Sequence, residues 1–486
     1  MTSATFTFPI PATWKRNGLL RSVAAGCALA VFTAGALSGA GASWDLFFFL
    51  LASAIFFGAL CLVRPLSSKT LAVERETFLS ATLVIWIFLM VSEAVFVHLQ
   101  TSGSAVGGHF DPSAYFQAAS WILSFLALAL ISCFRPCYLR RLLGGPLKWA
   151  NIFAVVAVLS CFLSPVPAYS LALAFKLCVI VLVLGAMGEG IEDEEGVSKV
   201  FGALFVGLLI VVTAEAMAPF LRPGPLFQAG RLGMMIGLSG TCGMLLILSL
   251  LFLWLKKNPW FLLCAICSVA VMMLAGTKGG MVASFASLLM FFFLLKRPAQ
   301  ALAVSLVFGI IFAFFVAFTP LGQSLQHYSE SGNAASLTGR TGLWTATWPS
   351  IESHILFGHG YRASRFVSEE VEGAFAEAGN MHNSFLEVLY NNGLAGLLPI
   401  LAINILIVCN LRKVIVRPLH LRLRYYAAAA FALQIHLVVW GLVSATFGGA
   451  PDNRFMTLFA LLLISMFLRG QCDKTYWNAV YGERIS

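Results

Sequence analysis

Long apolar runs alternate with short polar intervals along almost the whole chain. A membrane-spanning helix needs about 20 consecutive, mostly apolar residues, and by that test the chain contains about fourteen spans, with twelve also possible. They cover residues 22–40, 45–63, 78–98, 117–134, 149–168, 170–188, 200–219, 232–255, 260–276, 279–295, 299–319, 384–410, 425–447 and 453–469. The pattern therefore predicts an all-α polytopic integral membrane protein.

One polar interval, residues 320–383, is much longer than the others and separates two late spans. It divides the chain into four parts. We expect an N-terminal transmembrane bundle in 1–229, a further group of transmembrane helices in 230–319, the large loop, and C-terminal transmembrane helices in 384–486.

The composition excludes a soluble protein. Of the 486 residues, 59% are hydrophobic and 11% are charged, and the mean hydropathy is +0.88, whereas soluble domains carry about 25% charged residues. The net charge of +10 would suggest nucleic-acid binding in a soluble protein. Here it reflects the excess of Lys and Arg in cytoplasmic segments, and no nucleic-acid partner is expected.

The distribution of Lys and Arg also predicts the orientation. With fourteen alternating spans and a cytoplasmic N-terminus, most of the 31 Lys and Arg residues lie in cytoplasmic segments. Both termini are then cytoplasmic. The 320–383 loop lies on the opposite face, which is the periplasm in a Gram-negative cell.

The 11 cysteines predict neither a disulfide framework nor a metal site. Nearly all of them lie inside apolar spans, and the large loop has none to cross-link it. Cys264 and Cys267 have a spacing found in metal sites, but they lack a second pair of ligands. We therefore expect no metal and no cofactor.

The start of the span after the loop is the strongest local signal. Ser384 and Glu387 form the pattern of a capping box, which places His382 and Asn383 at the N-terminus of a membrane helix. Such a terminus attracts anions and disfavours imidazolium, so His382 is expected to stay neutral and to accept a proton. The alternative is a histidine that only anchors the helix at the interface.

Few cations are predicted on the same face as His382, and three of them are candidate ligands. Arg231 precedes one span, Lys278 lies between two short spans, and Arg340 begins a loop helix that carries Trp344. A cation at the hydrocarbon edge is costly and tends to be functional or paired. Together the three could bind a diphosphate. The alternatives are snorkelling to the interface for Arg231 and Lys278, and a solvated side chain on an ordinary amphipathic loop helix for Arg340.

Two glycines after the loop helix, Gly358 and Gly360, predict a tight turn and would permit close approach of the backbone to a ligand. Two glycines are a weak signal by themselves.

A further glycine lies inside the span 384–410. The sequence Asn391-Asn392-Gly393 predicts a kink or an early break in this helix.

Several short motifs follow one another in a fixed order: Thr338-Gly339-Arg340, Trp344, Gly358-x-Gly360, His382-Asn383, Leu386-Glu387 and Gly393-x-x-Gly396. This ordered pattern resembles the O-antigen ligase and polymerase superfamily, which includes exopolysaccharide polymerases. The specific resemblance covers roughly residues 230–410. It implies a fold similar to the C-type glycosyltransferases (GT-C-like) in the bacterial inner membrane, with catalysis in the periplasmic loop 320–383.

The resemblance also implies the chemistry. The donor would be a glycan on undecaprenyl diphosphate, and the acceptor another glycan or lipid A core. Arg231, Lys278 and Arg340 would bind the diphosphate and His382 would be the base. Trp344, Gly358, Gly360, Asn383 and Glu387 would support the site. The family often has an arginine where this chain has Lys278.

Ligase and polymerase activity stay equally open at this point. A transporter or flippase of polyprenol-linked sugars is an alternative, but it would place functional charges near the membrane midplane, where only Lys176 lies. A non-catalytic component that acts with other polysaccharide assembly proteins is a third possibility.

Overall fold

The computed structural model describes residues 75–97, 112–132, 144–221, 227–228, 231–232, 237–318, 340–369, 380–417, 421–447, 449 and 451–481. The predicted spans at 22–40 and 45–63 and much of the 320–383 loop, Thr338 included, lie outside these residues.

Thirteen α-helices form the described part of the chain: α1 (Arg75–Val97), α2 (Pro112–Ser132), α3 (Lys148–Ser160), α4 (Pro167–Gly190), α5 (Glu194–Leu221), α6 (Leu238–Lys256), α7 (Pro259–Ala275), α8 (Lys278–Leu294), α9 (Pro298–Phe318), α10 (Arg340–Ser353), α11 (Ser384–Val416), α12 (Leu421–Gly441) and α13 (Asn453–Tyr481). Short 3₁₀ segments follow α3 (Cys161–Leu163) and precede α11 (Ala363–Glu369). The strands β1 (Phe227–Gln228) and β2 (Arg231–Leu232) form an antiparallel pair.

Each predicted span from 78–98 onward coincides with one of these helices. The main difference is at 232–255, where the helix begins only at Leu238 because Leu232 pairs with Phe227 in the hairpin. Another is at 149–168. There α3 ends at Ser160, and Pro167 begins the next helix because proline suits the first helical turn.

Five helices of the described chain are long and apolar enough to cross a membrane: α4, the Glu194–Met217 part of α5, α6, α11 and the Asn453–Asp473 part of α13. Shorter apolar helices lie within α1, α2, α7, α8 and α9 and at α3 with its 3₁₀ extension. This is the architecture of a multi-pass membrane protein. The number of fourteen spans and the likeness to C-type glycosyltransferases stay predictions.

Glycines bring α6, α8 and α12 into close contact. A Cβ at Gly240 of α6 would overlap the ring of Trp440 on α12, and one at Gly243 would overlap the Ser284 hydroxyl of α8. Trp440 is 1% exposed. Small residues at helix contacts permit this approach where no water drives helices together. The ends of the three helices are thereby held near one another.

Helix α11 is broken at Gly393, as the Asn391-Asn392-Gly393 sequence predicts. Gly393 has φ 60° and ψ −160°, which is not helical. The loop after α10 fills the break: His359 and Gly360 donate backbone hydrogen bonds to Tyr390 and Asn391, and Leu394 and Ala395 donate to Ile355 and Leu356. These bonds satisfy backbone groups that would be costly to leave unpaired within a membrane.

We predict that Gly393→Ala destabilises the protein while Gly309→Ala does not. A Cβ at Gly393 would overlap the Leu356 carbonyl and oppose the positive φ, at a cost of about 1–3 kcal/mol. Gly309 lies within α9, and a Cβ added there would meet no atom within 4 Å. The thermal unfolding midpoint in detergent measures the difference, and equal midpoints would contradict this account of the break.

Candidate functional site

The N-terminus of α11 is capped by Asn383, not by the predicted capping box. The Asn383 side-chain oxygen accepts hydrogen bonds from the Phe385 and Leu386 amides at 3.0 and 3.2 Å. Ser384 instead accepts from the Thr446 and Phe447 amides of the segment after α12. The capping-box prediction was wrong because tertiary partners compete for both Ser384 and Glu387.

Glu387 is fully buried one turn into α11, and its carboxylate accepts hydrogen bonds from several donors. The Ser364 hydroxyl donates to Oε1 at 2.5 Å and the Met381 amide donates to Oε2 at 2.7 Å. The Arg362 guanidinium, 8% exposed, lies 3.3 Å from Oε1. A buried carboxylate needs such compensation. The cluster joins the 3₁₀ segment, the residue before His382 and α11.

His382 lies between this cluster and the cation Arg340. Its backbone has φ 49°, a left-handed conformation that is uncommon for residues other than glycine. The Asn380 side chain accepts a hydrogen bond from its amide at 2.8 Å. Burial of the imidazole and then the nearby Arg340 guanidinium lower the pKa of His382 to about 4. The imidazole is therefore neutral at physiological pH and available as a proton acceptor.

The turn after α12, Leu442–Val443, is the point at which several predicted site elements meet. Arg340 donates to the Val443 carbonyl and Asn383 donates to the Leu442 carbonyl. A Cβ at Gly279, the residue after Lys278, would lie 2.7 Å from the Val443 side chain. The first residues of α8, α10 and α11 thus surround one turn, and each of these N-termini carries partial positive charge.

The structure therefore brings together the elements that carry Lys278, Arg340 and His382. The Arg340 side chain is half-buried, and Lys278 is exposed at the N-terminus of α8. Arg231 lies in β2, which contacts α7, the helix immediately before Lys278. The side chain of Arg231 lies outside what the structure describes, so its role stays a prediction.

Trp344 lies one turn after Arg340 on α10. Its indole Nε1 donates a hydrogen bond to the Met381 carbonyl at 2.8 Å. Leu343, Thr347 and Ile351 form the buried face of α10, whereas Trp348 is 44% exposed. Trp344 is consequently the aromatic residue of α10 that contacts the His382 segment.

Gly358 and Gly360 contact other parts of the protein. Both have positive φ, 69° and 108°. A Cβ at Gly358 would lie 2.5 Å from the Asn391 carbonyl carbon, and one at Gly360 would overlap the Ser164 backbone. These glycines allow the loop to enter the break in α11 and to contact the segment after α3. The structure thus gives both glycines a packing role, and their support of the functional site stays a prediction.

Sequence reasoning missed three features of this region. The Arg362–Glu387 pair and the Leu442–Val443 turn join positions that are far apart in the chain, and no local pattern indicates them. The third feature is the contact of Arg454, which pairs with Asp452, with the Trp440 ring, whose centre lies 5.1 Å from the guanidinium. Arg454 thus adds a cation near the start of α6, beside Gly237.

Within the residues that the structure describes, no three His, Cys, Asp or Glu side chains form a group that could hold a metal. The expected absence of a metal and a cofactor stays a prediction. The side chain of Lys176 is buried, and its ammonium group lies 5.2 Å from the centre of the Trp121 ring. Lys176 is far in sequence from the residues of this site.

We predict that Arg362→Met lowers stability more than Arg365→Met. The first substitution leaves the Glu387 carboxylate buried without its cation, and breaking a buried pair costs about 3–5 kcal/mol. The Arg365 side chain is half-buried and close in sequence, which makes it a matched control. The thermal unfolding midpoints of both variants in detergent measure the loss of stability. Equal losses would show that the pair does not stabilise the loop.

Comparisons with known proteins match the part of the chain that carries most of the predicted site residues. No curated protein matches the chain. A family model described as O-antigen ligase matches residues 262–401. The match includes Lys278, Arg340, Trp344, the two loop glycines, His382, Asn383 and Glu387, but not Arg231. This match confirms the resemblance of the chain to the O-antigen ligase and polymerase superfamily.

Proposed function

We propose that the protein transfers a glycan from undecaprenyl diphosphate to a sugar hydroxyl in the synthesis of a surface polysaccharide, as an O-antigen ligase or as an O-antigen or exopolysaccharide polymerase. The observation that carries the proposal is the neutral imidazole of His382 beside the Arg340 guanidinium at the N-terminus of α11. A base and fixed positive charge are the two requirements for displacement of a diphosphate.

Each step of the proposed reaction uses groups in this region. A ring nitrogen of His382 takes the proton of the acceptor hydroxyl, whose oxygen forms a bond to the anomeric carbon. The bond from that carbon to the phosphate oxygen breaks, and undecaprenyl diphosphate leaves with the bonding electrons. Because this is a single displacement, the anomeric configuration inverts. No metal is required in this scheme.

The leaving diphosphate gains negative charge as the bond breaks. Arg340 and Lys278, with Arg231 as a third predicted ligand, would stabilise that charge together with the N-termini of α8 and α11. Arginine binds phosphate through two parallel hydrogen bonds, whereas lysine acts as a point charge. Electrostatic stabilisation of this kind supplies a large part of many enzymatic rate accelerations.

The proposed location is the bacterial inner membrane. The distribution of Lys and Arg supports cytoplasmic termini and a site on the periplasmic face. The donor would then approach with its lipid chain in the bilayer and its glycan in the periplasm. The acceptor is a second glycan or lipid A core, and other polysaccharide assembly proteins are expected to act with this enzyme.

Transport of lipid-linked sugars is less well supported. Broken membrane helices in transporters expose backbone groups that bind substrate or ions. The break in α11 has a different function here, because loop residues 355–360 occupy its backbone hydrogen-bonding groups. The cations near His382 lie at helix ends, where they suit a headgroup better than a central transport site.

We predict that His382→Ala abolishes glycan transfer while His354→Ala retains most of it. Purified protein in lipid vesicles is supplied with an undecaprenyl-diphosphate oligosaccharide, first alone and then with lipid A core. Loss of a general base typically costs about 10²–10⁴-fold in rate. His354 is exposed in the loop after α10 and is the control. A ladder of longer lipid-linked chains indicates a polymerase, and product formed only with lipid A core indicates a ligase. Undiminished transfer by His382→Ala would refute His382 as the base.

The pH dependence gives a second prediction. The neutral form of His382 is the active form, and its pKa is lowered to about 4. As pH falls, kcat/KM should therefore stay constant through pH 6 and decline only as pH approaches that value. A histidine with an ordinary pKa would lose activity already near pH 6.5. An acid limb centred near 6.5 would contradict the buried, cation-adjacent environment of His382.

A further inference from the structure

We propose that Trp344 and Glu387 are positioning residues that hold His382 in its reactive place through the two sides of the Met381 backbone. This inference rests on the proposed function, since it concerns the base of that reaction.

Both backbone polar groups of Met381 are hydrogen-bonded to side chains. Its amide donates to Glu387 Oε2 at 2.7 Å, and its carbonyl accepts from the Trp344 indole at 2.8 Å. Met381 itself is 1% exposed. One contact comes from α11 and the other from α10. The residue immediately before His382 is therefore attached to two separate helices.

These contacts help to hold the backbone of His382 in an unfavourable conformation. A non-glycine residue in the left-handed region costs free energy, and such a conformation persists only where neighbouring groups enforce it. His382 has φ 49°. Asn380 binds its amide and Asn383 caps α11 directly after it. With Met381 fixed as well, the backbone on both sides of His382 is constrained.

The same contacts also set the distance between the base and the cation. Trp344 lies one helical turn after Arg340, so the indole that binds Met381 belongs to the rigid element that presents the guanidinium. Glu387 is attached through its other oxygen to Ser364 and Arg362. His382 and Arg340 are thus placed relative to each other through Met381. A misplacement of about 1 Å can cost 10²-fold in rate.

A carboxylate at position 387 suits this task better than an amide. Its two oxygens accept from Met381, Ser364 and Arg362 together. A glutamine has one accepting oxygen, and its NH₂ group would face a donor on one side or the other. Glu387→Gln should therefore release either Met381 or the Arg362 side of the cluster.

The sharpest test compares two tryptophans of the same helix. Trp344→Phe keeps the aromatic ring and removes the indole donor to Met381. Trp348→Phe removes an indole donor to Glu352, an exposed contact at 2.6 Å, and serves as the matched control. Full-length variants in lipid vesicles are assayed with undecaprenyl-diphosphate oligosaccharide for kcat, KM and the pH dependence of kcat/KM, and their thermal stability is recorded.

For Trp344→Phe we expect kcat to fall by about 10- to 100-fold, KM for the donor to change less than about twofold, and the acid limb to move to higher pH. Trp348→Phe should resemble the wild type. A purely structural role of Trp344 would lower the amount of folded protein without moving the acid limb. Trp344→Phe kinetics equal to those of Trp348→Phe would overturn the inference.

His382→Ala, assayed in parallel, distinguishes the two levels of the argument. An inactive His382→Ala beside a fully active Trp344→Phe refutes the positioning role alone. An active His382→Ala refutes the proposed base itself. Should Trp344→Phe fail to insert in the membrane, Glu387→Gln takes its place, with the same fall in kcat and the same movement of the acid limb expected. Wild-type kinetics of Glu387→Gln would then overturn the inference.

Discussion

The buried Glu387 carboxylate is the interaction on which the arrangement of this site depends. A fully buried carboxylate requires compensating hydrogen bonds and a paired charge. Its donors outside α11 include Met381, Ser364 and Arg362. By binding these donors, Glu387 attaches the loop after α10 to the helix that follows it. Because Met381 is one of these donors, the backbone immediately before His382 is held in place.

The second constraint is that backbone amides and carbonyls at the break in α11 need hydrogen-bond partners. The break in α11 would leave amides and carbonyls unpaired in an apolar environment, and the 355–360 loop pairs with them. Glycines at positions 358, 360 and 393 make this possible, since each has a positive φ and lies against other backbone. A loop that reads as a surface connection is consequently part of the membrane-helix core at this point.

The electrostatics follow from where the helices begin. α8, α10 and α11 start around the Leu442–Val443 turn, so their partial positive charges add to those of Lys278 and Arg340. The low pKa of His382 is a consequence of burial and of the nearby guanidinium. The same packing therefore lowers the pKa of the imidazole and concentrates positive charge beside it.

The sequence by itself determined the membrane-protein class, the positions of the helices from 78–98 onward, the break at Gly393 and the family signature around His382, because hydrophobic runs, glycines and short motifs are local signals. It assigned Ser384 and Glu387 to a capping box, since a local motif is all that the sequence displays there. Only the tertiary structure decided that Glu387 binds Arg362 and Met381, that Trp344 binds Met381 and that Arg340 meets the Leu442–Val443 turn. These partners are separated by 6 to 103 positions, and no local propensity records which distant group compensates a buried charge.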